Sequence, residues 1–86
     1  SSLQIYVDTS NEEYLTEKIE RGELYILCRE NVDDYEGLYC KNGKIYRVVD
    51  MSNFTWVVEG EDCLVSINRE NCNFIPMIKG GVVNGS

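Results

Sequence analysis

A chain of 86 residues in which 43% are hydrophobic makes one domain, apolar enough to fold and too short to divide into two cores. Its net charge of −7 argues against direct binding to phosphate backbones and points instead to a basic protein partner. No apolar run has the length of a bilayer span and the first residues carry no signal pattern, so a cytoplasmic protein without membrane association is expected.

The first element is a strand over residues 3–7, where Leu3, Ile5 and Val7 alternate on one face and add an edge to a sheet. Ser10 followed three residues later by Glu13 forms a capping box that opens a helix over residues 11–21. Gly22 closes that helix because it tolerates the left-handed conformation of a C-terminal cap. Its apolar stripe is thin: Tyr14, Leu15 and Ile19 pack, while Glu12, Glu13, Glu17 and Glu20 point to water.

Residues 24–29 read as the first strand of a barrel, followed by a long polar excursion over 30–42 whose tip holds Asp33, Asp34, Tyr35 and Glu36. Asn42-Gly43 is a turn signal, and a strand over 44–50 follows it. Next come a strand over 54–59 containing Trp56, a tight turn at 60–62 and a strand over 63–68. Asn68 to Asn71 suits a single helical turn before a closing strand over 74–77, which Pro76 places at a sheet edge. The domain is expected to occupy residues 1–79, with residues 1–23 as an N-terminal strand-helix extension and 80–86 as a flexible tail.

This order of elements resembles the SH3-like barrel, on the words Leu24 to Arg29, Gly43-Lys44-Ile45-Tyr46-Arg47-Val48, Trp56-Val57-Val58 and Arg69-Glu70-Asn71-Cys72-Asn73-Phe74. It looks like the small SH3-like β-barrel proteins of Gram-positive phages and mobile elements. The resemblance spans residues 24–78 and implies a mainly β (α+β) fold, an SH3-like small antiparallel β-barrel with an N-terminal strand and a short helix. Peptide-binding SH3 domains carry paired tryptophans and a closing tyrosine motif. Here Trp56 stands alone and Phe74-Ile75-Pro76 takes the place of the tyrosine motif, which argues against proline-rich ligands.

Chemistry-bearing patterns are sparse. With no His and no activated Ser or Cys, no catalytic residue stands out and the chain reads as non-enzymatic, without a cofactor. Cys28, Cys40, Cys63 and Cys72 lack the close pairing of a zinc site and read as reduced, mostly buried thiols, and no other metal pattern is present. Tyr35, Tyr39, Trp56 and Phe74 are candidates to line a groove between the long loop and the closing segment, with Phe74 mainly structural and Tyr35 and Trp56 the exposed contacts.

Charge carries the functional reading. Residues 1–36 hold ten acidic side chains against three basic ones, whereas 37–86 hold five of each, with Lys44, Arg47 and Arg69 facing Asp50, Glu59, Glu61, Asp62 and Glu70. The acidic helix and loop are therefore expected to bind a basic, nucleic-acid-handling protein, their carboxylates standing in for phosphates. The partner-binding set is Glu12, Glu13, Glu17, Glu20, Asp33, Asp34, Tyr35, Glu36 and Trp56. Two alternatives belong to other classes: a homo-oligomeric assembly module that pairs through the strand at 3–7, and a small-molecule binder with an aromatic pocket around Trp56.

Overall fold

A computed structural model describes residues 3–4 and 7–79. Among them the protein is mostly β, with one short helix. The elements are β1 (Leu3–Gln4), α1 (Glu12–Glu20), β2 (Leu24–Cys28), β3 (Val32–Asp34), β4 (Gly37–Cys40), β5 (Ile45–Met51), β6 (Thr55–Glu59), β7 (Leu64–Asn68) and β8 (Phe74–Lys79). Six strands form one antiparallel sheet in the order β1-β8-β2-β5-β6-β7, and β3 pairs with β4 as a separate hairpin.

The core follows strand alternation. Leu24, Ile26 and Cys28 of β2, Tyr46 and Val48 of β5, Trp56 and Val58 of β6, and Val65 and Ile67 of β7 all point inward and are buried. Their neighbours along each strand face outward, so the register is fixed by which set is apolar. Burying the fully enclosed Leu15 of α1 against this surface stabilises helix docking by about 2 kcal/mol.

The helix starts one residue later than the capping-box reading implies. Asn11, not Ser10, is the cap, and its side chain accepts from the Tyr14 amide at 3.0 Å. Ser10 is drawn away because its amide and hydroxyl both donate to Asp8 Oδ1, so a short local turn competes successfully for the hydroxyl. At the other end Gly22 has φ +69°, as expected, and the Glu23 amide donates to the Lys18 carbonyl at 2.8 Å while the Gly22 amide donates to that of Ile19 at 3.0 Å.

The expected closed barrel is not found. Among the described residues β7 pairs only with β6, leaving the sheet open beyond β7. The sheet must nevertheless curl, because β7 and β8 lie four strand spacings apart in it, about 19 Å if flat. The chain crosses between them in two consecutive tight turns, with the Asn71 amide donating to the Asn68 carbonyl and the Phe74 amide to that of Asn71. These replace the single helical turn expected there, since each turn is capped by an Asn side chain: the Glu70 amide donates to Asn68 Oδ1 and the Asn73 amide to Asn71 Oδ1.

Pro76 does not mark a sheet edge, for β8 runs between β1 and β2. Its position explains why the missing N–H is harmless. Arg29 and Asn73 form a hydrogen-bonded pair, as do Glu23 and Lys79, and alternation then makes Ile26↔Pro76 a non-hydrogen-bonded pair. The proline nitrogen therefore faces away from β2, where no ladder bond is lost.

The long polar excursion folds back on itself as the β3–β4 hairpin instead of staying irregular. Asn31 Oδ1 accepts from the Asn42 amide at 2.8 Å, tying the start of the hairpin to the turn that follows it, and Gly43 takes φ +89° there as the Asn-Gly signal predicts. Gly60 anchors the other side. A Cβ at this position would lie 2.5 Å from the Tyr39 carbonyl oxygen and 2.6 Å from Val65 Cγ2, so only glycine lets β4 approach the β6–β7 turn. The strand expected over 3–7 is seen as the two residues of β1 at the sheet edge; Ile5, and the tail over 80–86, lie outside the described residues.

Candidate functional site

The acidic residues divide by what already holds them. Glu12 is committed to an internal contact: Arg69 Nη2 donates to its Oε2 at 2.8 Å, and this bond holds the Glu12 carboxyl below its usual range. The same guanidinium donates to the Ser52 carbonyl at 2.6 Å and the Thr9 carbonyl at 3.3 Å, and lies 4.6 Å from the centre of the Trp56 ring. Arg69 thus joins the segment before α1, the β5–β6 loop and the core, with its side chain only 11% exposed.

Glu13, Glu17 and Glu20 remain on the solvent side of α1. Glu17 is 3.4 Å from Arg21, an exposed pair that contributes little. Glu13 and Glu20 have no ion-pair partner among the described residues. Glu13 and Glu17 line an open concavity of about 400 Å³ with Asn11 and Tyr14, so two carboxylates, an amide and a phenol share one depression.

The hairpin presents a second acidic surface. Asp34 accepts from the Tyr39 hydroxyl at 2.8 Å and from the Glu36 amide at 2.7 Å, and the Tyr39 bond is the main reason its carboxyl stays below the ordinary range. That geometry shapes the tip and leaves Tyr35 94% exposed between Asp34 and Glu36. Asp33 is exposed and lines a groove of about 310 Å³ together with residues 30–32, 66–68, Asn71 and Phe74. No hydrogen bond or ion pair among the described residues links α1 to the hairpin; Asn68, on the groove, and Arg69, on Glu12, stand between them.

Trp56 is corrected from contact residue to core. It is 0% exposed, because it takes an inward position on β6 and Arg69 covers its face. Its Nε1 has no hydrogen-bond partner among the described residues. The groove expected between the long loop and the closing segment exists, but of its four expected aromatics only Phe74 lines it, from a largely buried position. Tyr35 extends at the hairpin tip and Tyr39 is held by Asp34. Phe54, 72% exposed in the β5–β6 loop, is a contact candidate that sequence reasoning missed, because an aromatic opening an apolar run reads as strand core.

Ion pairs neutralise the sheet much as its balanced charge suggests: Lys44 reaches Glu61 at 2.8 Å and Arg47 reaches Glu59 at 3.0 Å. Tyr46 donates to the same Glu61 carboxylate while accepting from the Lys41 amide at 2.7 Å. Burial and the Glu61 bond push the Tyr46 phenol up to about 12.

Only half of the cysteines are buried. Cys28 and Cys40 lie in the core, Cys63 and Cys72 are exposed, and all four are free thiols. Burial, reinforced by the neighbouring Cys40 thiol, pushes Cys28 up to about 12, and burial also raises Cys40. A thiol so far from ionisation is a poor nucleophile. Alkylation of the folded protein at pH 8 is therefore expected to add two groups, at Cys63 and Cys72, and four after denaturation. Intact-mass spectrometry with peptide mapping reads this directly; rapid labelling of Cys28 in the folded protein would contradict it.

No helix among the described residues is long and apolar enough to cross a membrane. Comparison with protein-family models, curated proteins and solved structures finds no match for this chain.

Proposed function

We propose that this protein is a non-enzymatic, acidic binding module that occupies a basic, nucleic-acid-binding surface of another protein, in the manner of a small phage-encoded inhibitor. The observation that carries the reading is the set of exposed carboxylates without ion-pair partners among the described residues, Glu13 and Glu20 on α1 and Asp33 and Glu36 on the hairpin, in a half of the chain that holds the entire net charge of −7. Structural needs do not consume these side chains. Glu12 and Asp34, by contrast, hold the fold and the tip in place.

An SH3-like arrangement fits the strand order β8-β2-β5-β6-β7, with the β3–β4 hairpin in the place of the long first loop of such barrels. Two contacts separate it from a proline-peptide reader. Arg69 covers Trp56, and α1 is tethered beside it through Glu12. The burial of Trp56 also removes the aromatic pocket on which a small-molecule role would depend.

Affinity purification from bacterial lysate tests the reading. Capture of a basic protein is expected, weakening as salt rises and lost on combined charge reversal at Glu13, Glu20, Asp33 and Glu36. Capture that survives those four reversals would refute it.

A further inference from the structure

Among the described residues β7 is an exposed sheet edge, and the direction of its backbone groups follows from its ladder with β6. The Gly60 amide donates to the Cys63 carbonyl and the Arg69 amide to that of Phe54, so both of these pairs are hydrogen-bonded ones in the β6–β7 ladder. Alternation makes Val58↔Val65 and Trp56↔Ile67 hydrogen-bonded as well. Leu64, Ser66 and Asn68 are left with their backbone groups turned away from β6. Of these outward groups only the Asn68 carbonyl has a partner among the described residues, the Asn71 amide.

No residue of β7 blunts this edge. Natural edge strands discourage pairing with a proline, a lysine or another charge, and Leu-Val-Ser-Ile-Asn has none of them, while Leu64 is 62% exposed. Beside the edge runs the 310 Å³ groove, with Ser66 and Asn68 on one wall and Glu30 and Asp33 on the other, and no cationic side chain lines it.

The geometry points to strand addition at β7 as the way this protein takes hold of its partner: an extended segment bearing Lys or Arg at alternate positions lies in the groove, pairing its backbone with Ser66 and its basic side chains with Asp33 and Glu30. This rests on the acidic-module reading above and gives it a location and a backbone conformation. Strand addition draws affinity from main-chain bonds and selectivity from alternate side chains. A second copy of the chain is the wrong occupant, because it carries −7 itself and would set its own carboxylates against the same wall.

The probe is a capped octapeptide alternating Lys and Val, titrated into isotope-labelled protein and followed by the amide resonances, with a Glu/Val peptide as control. The Lys/Val peptide is expected to shift the amides of Leu64, Ser66 and Asn68 and those of residues 31–33. Ser66→Pro removes an outward N–H without breaking the β6 ladder, and is expected to weaken binding about fivefold, the worth of one hydrogen bond. Asp33→Lys leaves the strand backbone untouched and is expected to weaken it comparably, so the inference can be judged even if the proline variant unfolds. Shifts confined to Glu13, Glu17 and their neighbours would overturn strand addition while leaving the acidic module intact. Equal binding of the Glu/Val peptide, or shifts nowhere, would also overturn it, and the lysate capture with its four charge reversals then decides the module reading independently.

Discussion

Trp56→Ala should cost about 3–5 kcal/mol, the largest loss of any single substitution in this fold. The side chain is fully buried on β6, between β5 and β7, and an 86-residue domain cannot collapse far enough to refill its volume. The total stability of a domain this size is of order 10 kcal/mol, so the variant should unfold about 20 °C lower, read by far-UV circular dichroism. Trp56→Phe separates two effects. It removes volume, which costs, but it also removes an indole N–H that is buried without a partner among the described residues, which relieves a desolvation penalty. A loss of about 1–2 kcal/mol is therefore expected for Phe. If the alanine variant melted within a few degrees of the parent, Trp56 would have to be at the surface after all. Trp56 is also the chain's one tryptophan, so its fluorescence in the parent protein should be that of an enclosed indole and shift to the red on unfolding.

Much of this fold was legible because local chemistry and tertiary context agree. Gly22 and Asn42-Gly43 need positive φ and have it, and the strands of the sheet alternate as their apolar residues require. The misread features are those in which two local options are nearly equal or a distant residue decides. Ser10 and Asn11 are both good caps, and Asp8 settled the choice by engaging Ser10. The hairpin at 32–40 reads as a loop because its outward positions are acidic and polar, while Val32 and Cys40 supply its inward side. In the sequence Trp56 reads as a surface aromatic because nothing near it reveals that Arg69, thirteen positions on, comes to lie over its ring.

The candidate site was half legible for the same reason. Composition located the acidic excess in residues 1–36, but it could not say which carboxylates were already engaged. Glu12 and Glu13 are adjacent on one helix, yet the first is spent on Arg69 and the second is free among the described residues. The free edge of β7 was hidden as well. Whether a strand lies inside a sheet or at its margin depends on the order in which distant strands pair, and no local pattern encodes that.

Arg69→Ala should be the second most damaging change, at about 3 kcal/mol, and the reason lies in what it leaves behind. The guanidinium donates to the Ser52 and Thr9 carbonyls, and its removal deprives both of a charged donor. It also strips the cation from the face of Trp56 and opens a path for water to the core. Arg69→Lys should recover little of this, since one ammonium cannot reach two carbonyls and a carboxylate in the plane that a guanidinium offers. Glu12→Gln isolates the ionic part. The Arg69 bond lowers the Glu12 pKa, so its contribution is present above the usual carboxylate range and disappears as pH falls through the depressed folded value. Urea unfolding of the parent should therefore weaken on acidification, and the Glu12→Gln variant should show a flatter dependence with a small loss at neutral pH, as its exposed position implies. If Arg69→Ala and Glu12→Gln proved equally mild, the guanidinium would be an ordinary surface group and α1 would be held by Leu15 and its apolar neighbours alone.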